Sequence, residues 1–199
     1  MPRITAPTVA EHRQQRHAEL LAAAAALIQR RGPFTVAEVA TEVGISRSAV
    51  YEYCDSAADL IADVLVDELA DWADALELAL TGLTDPRERV DAWIRAVLTY
   101  VAEGRHALVR AAGAIDLPPT RRAEVQARHR DLVNPLHAAL AELDVDDAGR
   151  VAAHLWGVVN AAITRIEASG PAPVAVGDET DAVLDFVHGG IDRLIADPS

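Results

Sequence analysis

The sequence predicts an all-α fold of about nine helices, on three observations. Apolar residues make up 51% of the 199 and aromatics only 4%. Ala, Leu, Val and Ile must therefore build the core, and Ala and Leu lose little conformational freedom in a helix. Apolar positions recur at intervals of three and four rather than alternating. Gly, Pro and capping residues cut that pattern into segments of helical length.

From Val9 to Arg31, the residues Leu20, Leu21, Ala24, Leu27 and Ile28 define one apolar stripe, and Gly32-Pro33 ends it. Thr35-Val36-Ala37-Glu38 has the pattern of a capping box, the Thr hydroxyl accepting from the Glu38 amide while the Glu side chain reaches back. A helix over 36–42 stops at Gly44, and Ser46 caps a short helix to about Tyr53. Ser56-Ala57-Ala58-Asp59 opens a long amphipathic helix to about Leu80. Gly82 breaks the chain. Asp85-Pro86-Arg87-Glu88 restarts it with an acidic cap and proline at the first helical position. Val90, Trp93, Ile94, Val97, Leu98 and Val101 form that helix's stripe. Gly104 separates it from a segment over 105–114, and Pro118-Pro119 precedes a helix from about Thr120 to Leu143. Asp144 or Asp146 starts an apolar helix to about Ser169. The run 169–179 is the clearest loop, with Val174–Val176 long enough only for a brief extended piece, and a last helix spans about 180–196.

Composition disfavours several function classes. No stretch approaches the roughly 18 apolar residues of a membrane span. The opening residues lack the apolar core of a signal peptide. The single cysteine, Cys54, excludes an internal disulfide framework. A cytoplasmic protein without membrane association is expected. No Gly-rich phosphate loop, Ser-His-Asp set or paired carboxylates stand out, so neither enzymatic activity nor a cofactor is expected. His129 and His137 are eight apart, and His12 and His17 five apart, with no carboxylate or Cys at ligand spacing. No metal site is expected. The net charge of −13 is unevenly spread: residues 1–53 carry six Arg and five acids (+1), and the rest twelve Arg and twenty-six acids (−14). Phosphate contact is permitted at the amino end and opposed elsewhere.

The informative segment is TVAEVATEVGISRSAVYEYC, residues 35–54. Two short helices flank Gly44, whose freedom at positive φ suits a tight corner. Val39, Val43, Ile45 and Val50 fall on the inward face, and Ala40 is small where the second helix crosses. That second helix presents Ser46, Arg47, Ser48, Ala49 and Tyr51 outward from its amino end, where unpaired amides and partial positive charge suit phosphate. Hydroxyls, an Arg and a methyl group are types that contact phosphates and base edges in a major groove.

A long helix ending at Gly32, followed by FTVAEVATEVGISRSAVYEYCDSAADLI from Phe34 to Ile61, resembles the DNA-binding domain of the TetR family over roughly residues 9–70. The resemblance implies a three-helix helix-turn-helix domain over 9–54 and a helical effector-binding and dimerisation domain over 55–199. It implies a homodimeric DNA-binding transcriptional regulator, a repressor on a palindromic operator, released by a small, mostly apolar effector. Thr35 and Ser46 would touch phosphates, Arg47 and Ser48 bases or phosphates, Ala49 a thymine methyl, and Tyr51 the DNA backbone. Tyr53 stands where the family often has His. Cys54 replaces a customary Phe, and Asp55 and Ala57 occupy positions where Lys is frequent, so phosphate attraction should be weaker.

The later half is read from periodicity. Trp93, Val97, Tyr100, His137, Trp156 and Asn160 are candidate effector-binding residues, with Trp156 and Asn160 one turn apart offering a flat wall and an orienting amide. Ala152, Leu155, Val159 and Ile163, then Val183, Phe186, Val187 and Ile191, give the last two helices dense apolar faces. The resemblance makes these the dimer candidates, and packing within one chain is the alternative. A helical small-molecule sensor with little DNA affinity, acting through protein contacts, is the competing function.

Overall fold

The computed structural model describes residues 9–113, 115–143, 145, 147–169 and 173–196. Among them the chain forms nine α-helices and no strand. These are α1 (Val9–Arg31), α2 (Val36–Val43), α3 (Arg47–Val50), α4 (Ala57–Leu80), α5 (Pro86–Ala102), α6 (Ala107–Gly113), α7 (Pro119–Glu142), α8 (Ala148–Ser169) and α9 (Pro173–Ala196).

Two compact units result. The first runs to Glu68 and takes in Leu108–Val125; the second holds Leu69–Ala107 and the chain from Gln126 onward. The boundary thus differs from the one expected after residue 54, for a physical reason. Leu60, Ile61 and Leu65 of α4, with Leu108 and Ala112 of α6, are buried in the same core as Leu20 and Ile28 of α1, Val39 of α2 and Val50 of α3. Each fully buried aliphatic of this size contributes about 1.5–3 kcal/mol, so a domain cut at residue 54 would expose much of that core. Arg121 reinforces it by pairing with Asp63.

In the second unit α5, α8 and α9 pack against one another. Trp93 is buried, and its indole N–H donates to the Leu132 carbonyl of α7 at 2.8 Å. Trp156 meets the Trp93 and His129 rings edge-on. Trp72 is buried too, stacked on Tyr100 with ring centroids 4.7 Å apart.

Three local expectations change. The expected loop over 169–179 is helical from Pro173, because proline at a first helical position is pre-set for the turn. Thr180 and Glu179 then secure that start, through the Val176 carbonyl and Arg165. The cap of α8 is supplied by Asp147, whose carboxylate accepts from the Arg150 N–H at 3.1 Å; Asp144 and Asp146 lie outside the described residues. α3 holds only four residues rather than reaching Tyr53. Pro135 sits inside α7, where it withholds the N–H that would bond the Asp131 carbonyl.

Burial, aided by the nearby His106, lowers the pKa of His129 below the ordinary imidazole value. The unfolded chain therefore binds this proton more readily than the folded one. The associated stability is complete above about pH 6.5 and declines as pH falls from there through the lowered folded value. Thermal melts are expected to show that decline, and His129→Gln should flatten it. An identical slope in the variant contradicts the assignment.

Candidate functional site

The α2–α3 hairpin is shaped by its caps. The Glu38 carboxylate accepts from the Thr35 backbone N–H (2.7 Å) and hydroxyl (2.8 Å). These two bonds, backbone first, hold the Glu38 carboxyl below its ordinary pKa. At the other end of α2, Gly44 takes φ 72° and ψ 34°, a left-handed conformation that costs glycine nothing sterically. Its N–H reaches the Thr41 carbonyl at 3.3 Å and that of Ile45 the Ala40 carbonyl at 3.0 Å, a Schellman closure. Nothing lies within 4 Å of where a Gly44 Cβ would stand. Gly44→Ala should therefore cost the backbone penalty alone, about 1–2 kcal/mol, measured as a lower melting temperature at unchanged helix content.

Beyond the corner, the Ser46 hydroxyl accepts from the Ala49 N–H at 3.2 Å and shares a 2.9 Å bond with the Ser48 hydroxyl. Val50 is buried and Ala49 half-buried, while Ser46, Arg47, Ser48 and Tyr51 are exposed. Residues 51–53 continue as turns, tightened by the Tyr53 N–H on the Val50 carbonyl at 2.9 Å. Four helical residues align few peptide dipoles, so α3 draws anions less than a full helix end would. The side chains must carry the attraction.

They are arranged in two pairs. Arg47 Nη2 donates to the Tyr51 hydroxyl at 2.9 Å, with the guanidinium 5.5 Å from the ring centroid. Arg13 Nη2 donates to the Glu52 carbonyl at 2.9 Å, with its guanidinium 5.4 Å from the Tyr53 ring, on which His17 also stacks. The sequence does not mark Arg13 for this edge, and it brings up His17 only for metal spacing, although their four-residue interval places them on one face of α1. Arg16, Arg30 and Arg31 face Glu19, Glu42 and Glu38. Among described residues 9–53, Arg13 and Arg47 have no carboxylate partner, so uncompensated positive charge falls beside Tyr53 and Tyr51. Thr35 is exposed but its hydroxyl faces Glu38, for which a phosphate would have to compete. Cys54 is buried, and burial, with Asp63, Asp59 and Asp55, pushes its thiol pKa up, away from thiolate chemistry.

The effector candidates separate. Trp93, Val97 and Tyr100 are buried, Trp156 is half-buried, and His137 and Asn160 are exposed. One turn of helix placed Asn160 near Trp156 in sequence, but the α8 face that carries it points outward. Trp72 was not singled out, because its stripe on α4 gave no sign of the Tyr100 ring it stacks on. A cavity of about 500 Å³ lies elsewhere in the second unit, lined by α4, α5 and α7.

Of the dimer candidates, Ala152, Leu155, Val159, Ile163, Val183, Val187 and Ile191 are buried within the chain itself. Packing among α5, α8 and α9 accounts for them. Phe186 is 68% exposed, and Leu194 on the same helix 41%. Among the described residues no three His, Cys, Asp or Glu are grouped to hold a metal ion, and no helix is long and apolar enough to cross a membrane.

Residues 20–64 match the family model described as bacterial regulatory proteins, tetR family. No protein of curated function matches the chain in sequence. The fold is similar to a transcriptional regulator FadR from Bacillus subtilis in complex with stearoyl-CoA, with TM-score 0.73 and 15% identity over 86% of this chain and 97% of that one. It is similar to the fatty acid degradation regulator FadR from Bacillus halodurans, with TM-score 0.71 and 15% identity over 88% and 95%. A Saccharomonospora viridis protein in complex with choline gives 0.72 and 18% over 88% and 96%. At such identities the likeness is one of fold.

Proposed function

We propose that this chain, whose residues 20–64 match the tetR family of regulatory proteins, is a transcriptional regulator that binds a palindromic operator as a homodimer, represses by occlusion and is released by a small, mostly apolar effector. The observation that carries this reading is the exposed Arg47–Tyr51 pair on a hairpin whose opposite face is locked into the core. Ser46, Ser48, Tyr53 and Thr35 flank it, and Ala49 offers a methyl group. One such edge reads few base pairs, so a second copy about one helical turn away is needed for a specific site.

The dimer is supported by what the second unit leaves uncovered. Ala153, Gly157 and Ala161 repeat at four-residue intervals on the exposed face of α8, where small residues permit close helix approach. Phe186 and Leu194 of α9 stand beside a shallow apolar groove floored by Leu155, Val187 and Ile191. The effector acts by binding better to a chain conformation that DNA does not favour, so ligand and operator weaken each other by the same factor. The reading includes no enzymatic activity and no cofactor, and places the protein in the cytoplasm.

Fluorescence anisotropy on promoter DNA, combined with sedimentation, tests it. Phe186→Glu with Leu194→Glu should yield monomers that retain helix content and lose operator affinity. The exposed Glu52 and Asp55 beside the α3 edge favour a second reading, a sensor that acts through protein contacts. Absence of salt-dependent DNA binding would select it.

A further inference from the structure

We propose that the cavity between α4, α5 and α7 takes a cationic amphipath, its apolar body inside and its positive charge at the rim beside Glu77. The proposal rests on reading the second unit as a sensor, and it adds a charge sign and a location to that reading.

At about 500 Å³ the cavity is within the range of small-molecule sites. Leu76 and Leu132 form a buried apolar wall, extended by Ala73, Leu80 and Leu83. Pro135 and Asp131 of α7 both line the cavity, and the proline withholds the N–H that would bond the Asp131 carbonyl.

Arg89 supplies the one cationic group of the lining, and its side chain is only 22% exposed. Its Nη2 lies 2.6 Å from Glu142 Oε2, but off the direction a hydrogen bond needs, and its Nε has no acceptor. A buried charged donor left unbonded is costly, and a carbonyl or ether oxygen on a ligand would satisfy it. Glu142 already balances the Arg89 charge, so an anion gains little there.

The rim is acidic. Glu77 is exposed and its carboxylate has no ion-pair partner among the described residues. Asp131, also exposed, has Arg128 at 4.0 Å and the Asn134 amide at 3.3 Å. Two lining carboxylates, Glu77 and Asp131, thus remain beside an Arg89 guanidinium that Glu142 already balances, with Arg128 facing only Asp131. The field favours a cation.

Calorimetric titration of the full chain with decyltrimethylammonium and, separately, decyl sulfate compares equal tails with opposite heads. At about 0.15 M salt, exposed charges beyond a Debye length are screened and the remote acidity of the protein contributes little. The ammonium compound is expected to bind at least tenfold more tightly, about 1.4 kcal/mol. Glu77→Gln should weaken it several-fold, and Ala73→Phe, which fills the cavity, should remove it; melting curves establish that both variants fold. Equal affinity for the two amphipaths, or ammonium binding unchanged in both variants, overturns the proposal. Anisotropy on promoter DNA, with and without the ammonium compound, reads operator affinity separately. Selective binding that left operator affinity unaltered would keep the site and contradict the sensor reading, whereas loss of selectivity would remove the site and leave the DNA reading intact.

Discussion

Replacing Arg47 and Tyr51 together with alanine is expected to lower operator affinity by roughly 2–4 kcal/mol, between about thirtyfold and a thousandfold. Melting temperature and dimerisation should hardly change. Both side chains are exposed, so neither contributes to the core. They are coupled, however. The 2.9 Å bond to the Tyr51 hydroxyl and the ring 5.5 Å from the guanidinium hold Arg47 against Tyr51. The single variants should therefore sum to more than the double variant, since each also disorders its partner. Tyr51→Phe keeps the ring and loses the bond, and should give a smaller effect than Tyr51→Ala. Anisotropy on operator DNA, with circular dichroism as the check on folding, measures all four. Undiminished binding by the double variant would put the DNA surface elsewhere on the molecule.

The largest stability effect is expected at Trp93. Trp93→Ala removes a buried indole and leaves a cavity among α5, α7 and α8, a loss of about 3–5 kcal/mol. The informative comparison is with phenylalanine. Trp93 bonds the Leu132 carbonyl, whereas the buried Trp72 indole N–H has no partner among the described residues. Trp93→Phe abandons a made bond; Trp72→Phe removes a donor that was never satisfied. Trp93→Phe should thus cost about 1 kcal/mol more than Trp72→Phe in urea unfolding. Equal losses would mean that the Leu132 bond adds no net stability.

Helix existence was legible because periodicity and caps are local signals. Thr35–Glu38, Gly44, Ser46 and Asp85-Pro86 fix their turns through atoms within a few residues, although the Glu38 amide reaches the Thr35 carbonyl and the Thr35 hydroxyl donates to the Glu38 carboxylate instead of accepting. What remained hidden depends on distant partners. The start of α4 belongs with α1 because Leu60 and Leu65 share a core with Leu20, a fact no local spacing encodes. Apolar density on α8 and α9 signalled burial but could not tell burial within the chain from burial against a second copy. Seven of those eight residues are already covered. The loop expected at 169–179 misled because Pro173 and Gly177 usually punctuate, yet proline also opens helices. Pro135 was passed over within a long helical pattern, although it marks the lining of the cavity.

The paired-hairpin mechanism stands or falls on DNA selection. Purified full-length protein, mixed with random-sequence duplexes at near-physiological salt, is expected to enrich inverted repeats. Their half-sites should lie about one helical turn, roughly 34 Å, or a whole multiple apart. Recovery of sequences no different from the input pool, or of a single unsymmetrical site occupied by one chain, would contradict it.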